Sequence, residues 1–508
     1  MMAAEEQAQW TLGELLTGLL PVGGLPSSLQ GLPVSGLCLS AAAVQPGDVF
    51  IALQGMKQHG LAFAEQATAR GAAAILWEIP ANGVVPIQTA ALQVPAQGIA
   101  QLRSLLGWVA AGFYGSPSEL LRITAVTGTD GKTSVAHLLT QAWGLLGQST
   151  AHMGTLGVGR LGALADLGMT TLDALRLQQH LHEFAAQEVA RVVMEASSHA
   201  LDQGRLHGTQ IEQAIFTGLA RDHLDYHGDE TRYAASKQRL FAWPGLQQAI
   251  LHAGDPWSEQ WYAQMHPDVT CIRYGLEASA EVHAEIEDAP VGQGLRFRIR
   301  GVLGEGVIQS TLLGRFNVEN LLAVFAALRL QEVPLADALR VLENLQSVPG
   351  RMQSLHQPGS PQAVVDYAHT PQALEAALTS LRVRHHGPLA VVFGCGGERD
   401  RGKRALMGTI AEHHADQVWL TNDNPRSEDP QGILTEILAG FEHPEAVHIE
   451  LDRAQAIQQA LAALDANGLV LIAGKGHETT QQIGSDCLPF TDQAAVQQAF
   501  RRLAEVCA

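Results

Sequence analysis

The feature that most constrains the fold is a glycine-rich loop between an apolar stretch and an amphipathic one. Residues 121–126 read as a buried strand, and residues 127–134 then spell TGTDGKTS before a helical pattern that runs to about residue 146. Glycine amides in such a loop can approach phosphate oxygens, the helix N-terminus adds a favourable dipole, and the lysine neutralises charge. The order therefore predicts a nucleotide-phosphate site, with an ordinary glycine-containing turn and a chance lysine as the alternative.

The loop is a short variant of the usual phosphate loop, because Val126 stands where that loop has its first glycine. In it, Lys132 is predicted to pair with phosphate charge and Thr133 to reach Mg²⁺. The predicted ATP contacts within the loop are Gly128, Thr129, Asp130, Gly131, Lys132, Thr133 and Ser134.

Length and composition exclude several classes of protein. A chain of 508 residues with 46% hydrophobic and 16% charged residues indicates a well-folded protein of two to four domains. Its formal net charge of −19 repels a phosphate backbone, and the sequence has no basic cluster to offset that charge. We therefore expect small-molecule partners and no nucleic acid.

Cysteine usage and the amino terminus indicate the cytoplasm. The cysteines are few, odd in number and scattered, which suits a reducing compartment. The first ten residues are acidic and lack the cationic and apolar regions of a secretory signal, and no apolar run is long enough to cross a bilayer. We expect a cytoplasmic protein without membrane insertion. The cysteines are Cys38, Cys271, Cys395, Cys487 and Cys507.

Punctuation by glycine, serine and proline divides the chain into three predicted domains. A Gly-Ser-Pro-Ser turn begins at residue 115, and a Val-Pro-Gly turn begins at residue 348. The predicted domains are therefore residues 1–114, 115–347 and 348–508. The second carries the phosphate loop and, near 282–313, a portion of short alternating strands.

Apolar runs alternate with helical patterns in all three domains, which predicts an α/β fold with mostly parallel sheets and a Rossmann-like third domain. The predicted strands are at 49–53, 73–77, 121–126, 191–195, 214–217, 363–366, 389–393, 417–420, 448–451 and 469–473. Helices are predicted at 62–70 and 99–114.

Three further segments carry titratable side chains suited to a nucleotide site. The apolar strand at 192–195 ends in Glu195, which is either a carboxylate ligand for Mg²⁺ or a strand-end charge facing water. The loop at 221–228, RDHLDYHG, follows another strand and places His223 where parallel sheets bind ligands, unless the loop is simply solvated. Lys237 lies on a helical pattern and by itself reads as a surface lysine.

Taken together, these segments and several others resemble the Mur ligase family, cytoplasmic enzymes that build the peptide of the cell-wall precursor. The resemblance covers nearly the whole chain. The further motifs are MEASSHALDQGR at 194–205, GRFNVEN at 314–320, GRM at 350–352, VDYAHTP at 365–371, GCGGERDRGKR at 394–404, DNPR at 423–426 and AGKGHE at 473–478.

The resemblance implies a three-domain fold with an amino-terminal UDP-binding domain, a central ATP-binding domain and a carboxyl-terminal amino-acid-binding domain. Lys237 matches a lysine that CO₂ converts to N6-carboxylysine, whose carbamate offers anionic oxygens that an ammonium lacks. The implied catalytic residues are Lys132, Glu195, His223 and Lys237, of which the last three, with Thr133, look like Mg²⁺ ligands. The further nucleotide contacts implied are Asn317, Arg351 and Asp366.

The implied substrates are ATP, UDP-MurNAc-L-Ala-D-Glu and meso-2,6-diaminopimelate, and the implied protein is a monomer. DNPR resembles the signature of members that add diaminopimelate. The positions that match the UDP-MurNAc-dipeptide site are Ser40, Met56, Lys57, Gln58, Thr170, Thr171, Ser197, Gln203 and Arg205. The positions that match the diaminopimelate site are Arg399, Asp423, Asn424, Pro425, Arg426, Gly474 and Glu478.

The amine-site match has a physical reason. Diaminopimelate differs from lysine by a distal carboxylate, and the planar fork of Arg426 suits a carboxylate. Glu478 would hold the distal ammonium, and an Arg426 left without its partner would disfavour lysine. The alternative is that Arg426 only braces its turn.

Three segments of the chain depart from the family pattern. Relatives commonly have Asp-Ser-Arg where this chain has Ser40-Ala41-Ala42, so either the backbone and residues 56–58 hold the uridine end or binding there is looser. Met169 stands where an asparagine commonly precedes a threonine pair, and Gly218 stands where an asparagine commonly follows Thr217.

The resemblance implies that the D-Glu carboxylate attacks the ATP γ-phosphate, closure of the carboxyl-terminal domain shields the acyl phosphate, and the amine then displaces phosphate. A folylpolyglutamate synthase or a lysine-adding Mur enzyme is the nearby alternative. A nucleotide-binding scaffold without activity is the alternative from another class.

Overall fold

The structure is a computed structural model that describes residues 10–21, 24–55, 58–80, 83, 92–220, 222–287, 294–383 and 385–507. It contains two compact units, Met1–Arg273 and Tyr274–Ala508, each described by itself below. In the described residues no helix is both long and apolar enough to cross a membrane.

The amino-terminal part of the first unit is built on a four-stranded parallel sheet, in the order β3-β4-β5-β6. Apolar clusters pack on both faces of this sheet. The strands are β1 (Trp10–Thr11), β2 (Pro33–Val34), β3 (Gly36–Cys38), β4 (Asp48–Ala52), β5 (Ala74–Ile79) and β6 (Ala96–Ala100). The helices are α1 (Leu12–Leu16), α2 (Ser27–Gln30), α3 (Ala64–Ala69) and α4 (Leu102–Phe113), with 3₁₀ turns at Ala41–Ala43 and Gly60–Phe63.

The rest of the first unit is a larger sheet with strand order β12-β11-β7-β10-β8-β9, parallel except for β9. The strand β7 lies at the centre, so its carboxyl end opens onto the middle of the sheet edge where ligands bind. The strands are β7 (Arg122–Thr127), β8 (Thr150–Gly154), β9 (Gly157–Gly159), β10 (Arg191–Glu195), β11 (Gln213–Phe216), β12 (Gln248–His252) and β13 (Thr270–Gly275), which leads into the second unit. The helices are α5 (Lys132–Leu145), α6 (Ala174–Ala186), α7 (Ser198–Asp202), α8 (Leu224–His227), α9 (Glu230–Gln238) and α10 (Pro256–Ala263), with 3₁₀ turns at Pro117–Leu120 and Arg239–Ala242.

The second unit begins with an antiparallel ladder followed by two helices. Its strands alternate buried and partly buried residues, as expected when one face of the ladder packs on the core. The ladder comprises β14 (Val282–Glu287), β15 (Leu295–Gly301) and β16 (Gly306–Ser310). The helices are α11 (Phe316–Leu330) and α12 (Leu335–Asn344).

The remainder of the second unit is a Rossmann-like sheet in the order β17-β18-β22-β19-β20-β21, parallel except for β17. Two apolar clusters cover its faces. The strands are β17 (Gln353–Leu355), β18 (Gln362–Asp366), β19 (Leu389–Phe393), β20 (Gln417–Leu420), β21 (His448–Ile449) and β22 (Leu469–Ala473), with a separate hairpin of β23 (Thr480–Ile483) and β24 (Asp486–Pro489). The helices are α13 (Pro371–Arg382), α14 (Gly402–His414), α15 (Pro430–Leu438), α16 (Arg453–Ala462) and α17 (Asp492–Cys507), with a 3₁₀ turn at Pro444–Ala446.

The predicted α/β class and parallel sheets are confirmed. Some predicted bounds are wrong. The helix predicted at 62–70 begins as the 3₁₀ turn Gly60–Phe63 and becomes α-helical at Ala64, and the strand predicted at 448–451 ends at Ile449. Residues 99–100 end strand β6, and the helix predicted from residue 99 begins at Leu102. The intervening Gln101 has a φ of 55°, in the left-handed region, which separates strand from helix. The domain boundaries after residues 114 and 347 stay predictions.

Candidate active site

The phosphate loop lies between the central strand β7 and helix α5, as the sequence predicts. Gly131 is the residue before the helix and has a φ of 80°, a conformation that glycine adopts without strain. The Lys132 Nζ donates hydrogen bonds to the Gly128 carbonyl at 3.0 Å and the Thr129 carbonyl at 2.7 Å. The lysine is thus folded over the loop, within reach of any anion that the loop amides receive.

The first turn of α5 buries the two hydroxyl residues that end the motif. Thr133 is 5% exposed and Ser134 is 7% exposed. On the other side of the loop, the Asp130 carbonyl accepts a hydrogen bond from the Thr217 hydroxyl at 2.5 Å. The Thr129 amide also donates to the Gly218 carbonyl at 2.8 Å, so the loop is held from both sides.

Glu195 lies at the end of β10, beside the loop, and is 1% exposed. Its Oε2 accepts hydrogen bonds from the Thr133 hydroxyl at 3.0 Å and the Thr155 hydroxyl at 3.1 Å, and its Oε1 accepts one from the Thr155 amide at 2.8 Å. The Thr155 hydroxyl also lies 3.1 Å from that of Thr170. Glu195 is thus a fixed buried carboxylate and not a strand-end charge facing water.

Lys237 is buried, contrary to the expectation for a lysine read from its helical pattern alone. It is 1% exposed, and its Nζ donates to the Gly128 carbonyl at 2.6 Å. The amine also lies 4.6 Å from the centre of the Tyr233 ring. Burial, and then the nearby Lys132 ammonium, hold the pKa of Lys237 well below its usual range, so its neutral, nucleophilic form is favoured.

His223 is half-exposed and stands just before α8 with a φ of 53°. Its Nε2 lies 3.3 Å from an Asp222 carboxylate oxygen, and its ring stands edge-on to that of His199 at 4.9 Å between centroids. Partial burial lowers the pKa of His223. Its neutral ring is therefore available as a ligand or a hydrogen-bond partner.

The side chains around the loop supply only some of the ligands that a hard divalent cation needs. Across the described ranges, no group of three or more His, Cys, Asp and Glu side chains is placed to hold a metal ion. The hydrogen-bonded pair of Thr133 and Glu195 does offer the hydroxyl and carboxylate oxygens that Mg²⁺ prefers. Any Mg²⁺ here would need further oxygens from its substrates.

A pocket of about 770 Å³ lies in the first unit and contains several of the residues predicted for the UDP-MurNAc-dipeptide. Ser40, Gln58, Gln203 and Arg205 all line it, together with Arg103, which the sequence reasoning missed. Met56 and Lys57 lie outside the described residues. The pocket thus brings a polar rim and two guanidinium groups to one concave surface.

The remaining predicted contacts for that substrate form a hydrogen-bonded chain from Glu195 to the pocket. The Thr171 hydroxyl donates to the Glu195 carbonyl at 2.8 Å and accepts from the Ser197 amide at 3.0 Å. Arg205 donates to the Thr171 carbonyl at 3.0 Å and to the Gln203 side chain at 2.7 Å. These hydrogen bonds therefore link the pocket to the backbone of Glu195, whose carboxylate lies at the phosphate loop.

In the second unit, the predicted nucleotide contacts lie at the starts of α11 and of the Rossmann-like part. Asn317 is 6% exposed, donates to the Leu313 carbonyl at 2.6 Å and accepts from Asn320 at 2.8 Å. The Arg351 guanidinium lies 4.4 Å from the centre of the Tyr367 ring.

The Asp366 carboxylate in the second unit accepts hydrogen bonds from two backbone amides, that of Met352 at 2.7 Å and that of Ala368 at 2.9 Å. It is thereby fixed at the end of β18, which is the ligand-binding edge of a parallel sheet.

The predicted amine-site residues converge on the turn that carries DNPR. Arg426 has a φ of 52°, and its Nη1 donates to the Gly397 carbonyl at 2.6 Å. A Cβ placed on Gly396 would lie 3.2 Å from that Nη1 and 3.6 Å from the side chain of Arg399. The side chains of Arg426 and Arg399 therefore both pass close to Gly396, and one arm of the Arg426 guanidinium also braces the loop.

The Asp423 carboxylate lies deeper in this site. Asp423 is 7% exposed, and burial raises its pKa. A Cβ on Gly474, where φ is 112°, would lie 2.7 Å from the Asp423 Oδ2, so only glycine fits there. Pro425 is buried in the same turn. Asn424 donates to the Glu478 Oε2 at 2.8 Å.

Comparison with known proteins agrees with this architecture. Three family descriptions match the chain: "Mur ligase family, catalytic domain" at residues 33–114, "Mur ligase middle domain" at 126–328 and "Mur ligase, glutamate ligase domain" at 350–476. A protein of Xanthomonas campestris pv. campestris (strain 8004), named UDP-N-acetylmuramoyl-L-alanyl-D-glutamate--2,6-diaminopimelate ligase, is 46% identical over 96% of this chain and 97% of its own length.

Solved structures give the same fold. One of a UDP-N-acetylmuramoyl-L-alanyl-D-glutamate--2,6-diaminopimelate ligase is 34% identical, has a TM-score of 0.70 and covers 98% of this chain and 99% of its own. A Mycobacterium tuberculosis folylpolyglutamate synthase complexed with ADP is 18% identical, with a TM-score of 0.60 over 73% of this chain and 92% of its own. At that identity the likeness to the folate enzyme concerns the fold alone.

The fold and the phosphate loop thus define a three-domain α/β protein with a nucleotide-type site in its central domain. The chain belongs to the Mur ligase family, since the family descriptions and the relatives cover nearly all of it.

Proposed function

We propose that this chain is an ATP-dependent ligase that adds meso-2,6-diaminopimelate to the D-Glu side-chain carboxylate of UDP-MurNAc-L-Ala-D-Glu. The products are UDP-MurNAc-tripeptide, ADP and phosphate, and the role is peptidoglycan precursor synthesis. The observation that carries the proposal is the cluster at the phosphate loop. There the Gly128 carbonyl accepts hydrogen bonds from both Lys132 and Lys237, while Thr133 bonds to the buried Glu195. The 46% identity to a named diaminopimelate ligase supports the choice of amine.

In this proposal the loop amides and Lys132 bind the ATP phosphates and orient the γ-phosphate toward the D-Glu carboxylate. Bound Mg²⁺ would supply a positive charge that neutralises the phosphates. Thr133 and Glu195 would hold it, with His223 beside them. The chain provides positioning and charge and no nucleophile of its own, as phosphoryl transfer allows.

The buried amine of Lys237 is proposed to be carbamylated. The neutral amine attacks the carbon of CO₂ and one proton is released to solvent, which leaves the anionic carbamate. The lowered pKa of Lys237 favours the neutral amine that this step needs. The carbamate would bring anionic oxygens next to the loop, where an ammonium would repel Mg²⁺. Burial among apolar walls and beside Tyr233 would protect it from water.

The pocket of about 770 Å³ is proposed to bind the UDP-MurNAc-dipeptide. Arg103 and Arg205 line it and would provide cations for the diphosphate. The predicted contacts retained in this proposal are Ser40, Met56, Lys57, Gln58, Thr170, Thr171, Ser197, Gln203 and Arg205.

The amine site is proposed to lie at the DNPR turn. Arg426, with Arg399 beside it, would pair with the distal carboxylate of diaminopimelate, and Glu478 would accept a hydrogen bond from the distal ammonium. The other residues proposed to shape this site are Asp423, Asn424, Pro425 and Gly474. Among the residues that the structure describes, Nη1 is the Arg426 side-chain nitrogen that donates to the loop, so the guanidinium can brace the turn and still pair with a ligand.

For the rest of the chain we propose that Asn317, Arg351 and Asp366 bind the adenine, phosphate and ribose of ATP. We also propose that the domains are residues 1–114, 115–347 and 348–508, and that the protein is a cytoplasmic monomer.

The test is amine-dependent release of phosphate by the purified protein with ATP, Mg²⁺ and UDP-MurNAc-L-Ala-D-Glu. We expect ADP and phosphate to form with meso-2,6-diaminopimelate and much less with L-lysine. A reaction that never splits ATP to ADP would refute the ligase activity. Equal turnover of the two amines would instead refute the role of Arg426 and leave the ligase activity standing.

A further inference from the structure

A closed triangle of polar side chains lies behind the proposed amine site. The Lys475 Nζ donates to the Glu478 Oε2 at 2.7 Å and to the Asn424 Oδ1 at 3.1 Å, and the Asn424 Nδ2 donates to the same Glu478 Oε2 at 2.8 Å. The Gln482 amide, 2.9 Å from the Asn424 Oδ1, fixes the orientation of that amide group. Lys475 belongs to the motif AGKGHE at 473–478, from which no role was predicted for this lysine.

Two members of this triangle, Lys475 and Glu478, differ in burial. The Lys475 side chain is 0% exposed, whereas that of Glu478 is 30% exposed. A lysine is rarely buried to this extent unless its charge is paired with an opposite charge. Within the part of the chain that the structure describes, the Glu478 Oε1 has no recorded hydrogen bond. The carboxylate therefore has one oxygen occupied by two internal donors and one that is left for a ligand.

We propose that Lys475 is the positioning residue that aims Glu478 at the distal ammonium of the amine substrate. This inference rests on the proposed function, because that function supplies the ammonium. By holding Oε2, Lys475 keeps the carboxylate from rotating and presents Oε1 to the ligand. Asn424 also donates a hydrogen bond to Oε2, but its side chain carries no charge.

Lys475 also sets the charge of the site. The distal carbon of diaminopimelate carries an ammonium and a carboxylate and is neutral overall, whereas the distal end of lysine is a cation. The buried Lys475 charge balances Glu478 before any ligand arrives, so the site favours a neutral zwitterionic end over a cationic one. Lys475 is thereby a determinant of amine specificity as well as of affinity.

A purely structural role would make different predictions. If Lys475 only tied the loop after β22 to the DNPR turn, its loss would lower stability and affect all three substrates together. If it acts through Glu478, its loss affects the amine first. Since Glu478 is partly exposed, water can solvate it once Lys475 is gone.

The experiment compares the full-length wild type with Lys475→Met in steady-state phosphate release, with each substrate varied in turn. We expect KM for diaminopimelate to rise about tenfold or more, as for loss of a hydrogen bond between charged groups, with KM for ATP and for UDP-MurNAc-L-Ala-D-Glu unchanged within error. L-Lysine should lose less kcat/KM than diaminopimelate does. Arg340→Met, which removes an exposed cation paired with Asp337 in the same unit, is the control and should change none of these values.

A double-mutant cycle with Glu478→Gln separates the two roles. If Lys475 acts through Glu478, Lys475→Met has little further effect on KM for diaminopimelate in that background. Equal effects in both backgrounds, or an unchanged KM in the single variant, would overturn the inference. Should Lys475→Met lack a cooperative melting transition, Lys475→Gln is measured in its place with the same criteria. A wild type that shows no diaminopimelate-dependent phosphate release would overturn the proposed function, and this inference with it.

Discussion

A single added methyl group at Gly154 should displace the carboxylate at the phosphate loop. Gly154 ends β8, and its φ is outside the left-handed region, so alanine fits the backbone. A Cβ there would overlap the Glu195 Oε1 and would lie 2.9 Å from both the Glu195 Cγ and the His152 Nε2. His152 is 0% exposed and Glu195 is 1% exposed, so neither has open space to move into.

The cost of Gly154→Ala follows from the same contacts. Overpacking a filled site costs about 1–3 kcal/mol. The Glu195 oxygens are held by Thr133 and Thr155, so the strain must either break those hydrogen bonds or lower the stability of the fold. A carboxylate moved by about 1 Å would slow turnover by roughly 100-fold.

The assay is phosphate release at saturating substrates, together with thermal unfolding. Gly144→Ala is the matched control, because Gly144 lies within α5 with no other atom within 4 Å of its added Cβ. Alanine there should stabilise the helix by about 0.5–1 kcal/mol and leave the rate unchanged. Gly154→Ala with the rate and the unfolding temperature of the wild type would show that the packing around Glu195 is not as described.

Three further changes test other parts of the chain. Lys237→Ala should nearly abolish turnover and regain it with added short-chain carboxylates, and a variant that keeps the wild-type rate without them would contradict the carbamate. Burial lowers the pKa of His137 to about 4 and of His152 to about 3, so below about pH 6.5 the unfolded chain binds protons that the folded chain does not. The free energy of unfolding in urea should therefore decrease as the pH falls from about 6.5 to about 4, with a shallower slope in His152→Leu; an equal slope would contradict this account. Arg453→Met leaves the fully buried Asp492, which Arg453 contacts at 2.7 Å, without its partner and should cost about 3–5 kcal/mol in denaturant titration; a loss below about 1 kcal/mol would be inconsistent with the burial of the pair.

The sequence predicted the parallel strands best where both faces of a sheet are covered. Strands Arg191–Glu195, Leu389–Phe393, Gln417–Leu420 and Leu469–Ala473 have the predicted bounds. Such strands are continuous apolar runs, which no exposed helix resembles. The start of α4 was wrong because Ile99 suits a strand and a helix equally, and only the left-handed Gln101 separates them.

The phosphate loop was also predictable, because its chemistry is local: glycines, lysine and threonine are adjacent in the chain. The partners of Glu195 were not. Thr155 contacts it from forty positions away, in a loop with no motif of its own, and nothing in the pattern around Lys237 indicates that its amine is buried. Burial and distant pairing depend on tertiary packing, which local patterns do not encode.

The segment Ser40-Ala41-Ala42 departs from the family pattern and yet lines the pocket proposed for the UDP-MurNAc-dipeptide. The family commonly has longer polar side chains there that help to hold the uridine end, so the sequence alone left looser binding as an open alternative. In the structure all three residues line a pocket whose guanidinium groups come from Arg103, on α4, and Arg205, after α7. Charge complementarity depends on the cations that a surface presents and not on the segment that supplies them. In the proposed dipeptide site the cations would therefore come from α4 and from the residues after α7, and the departure at residues 40–42 would leave both of them in place.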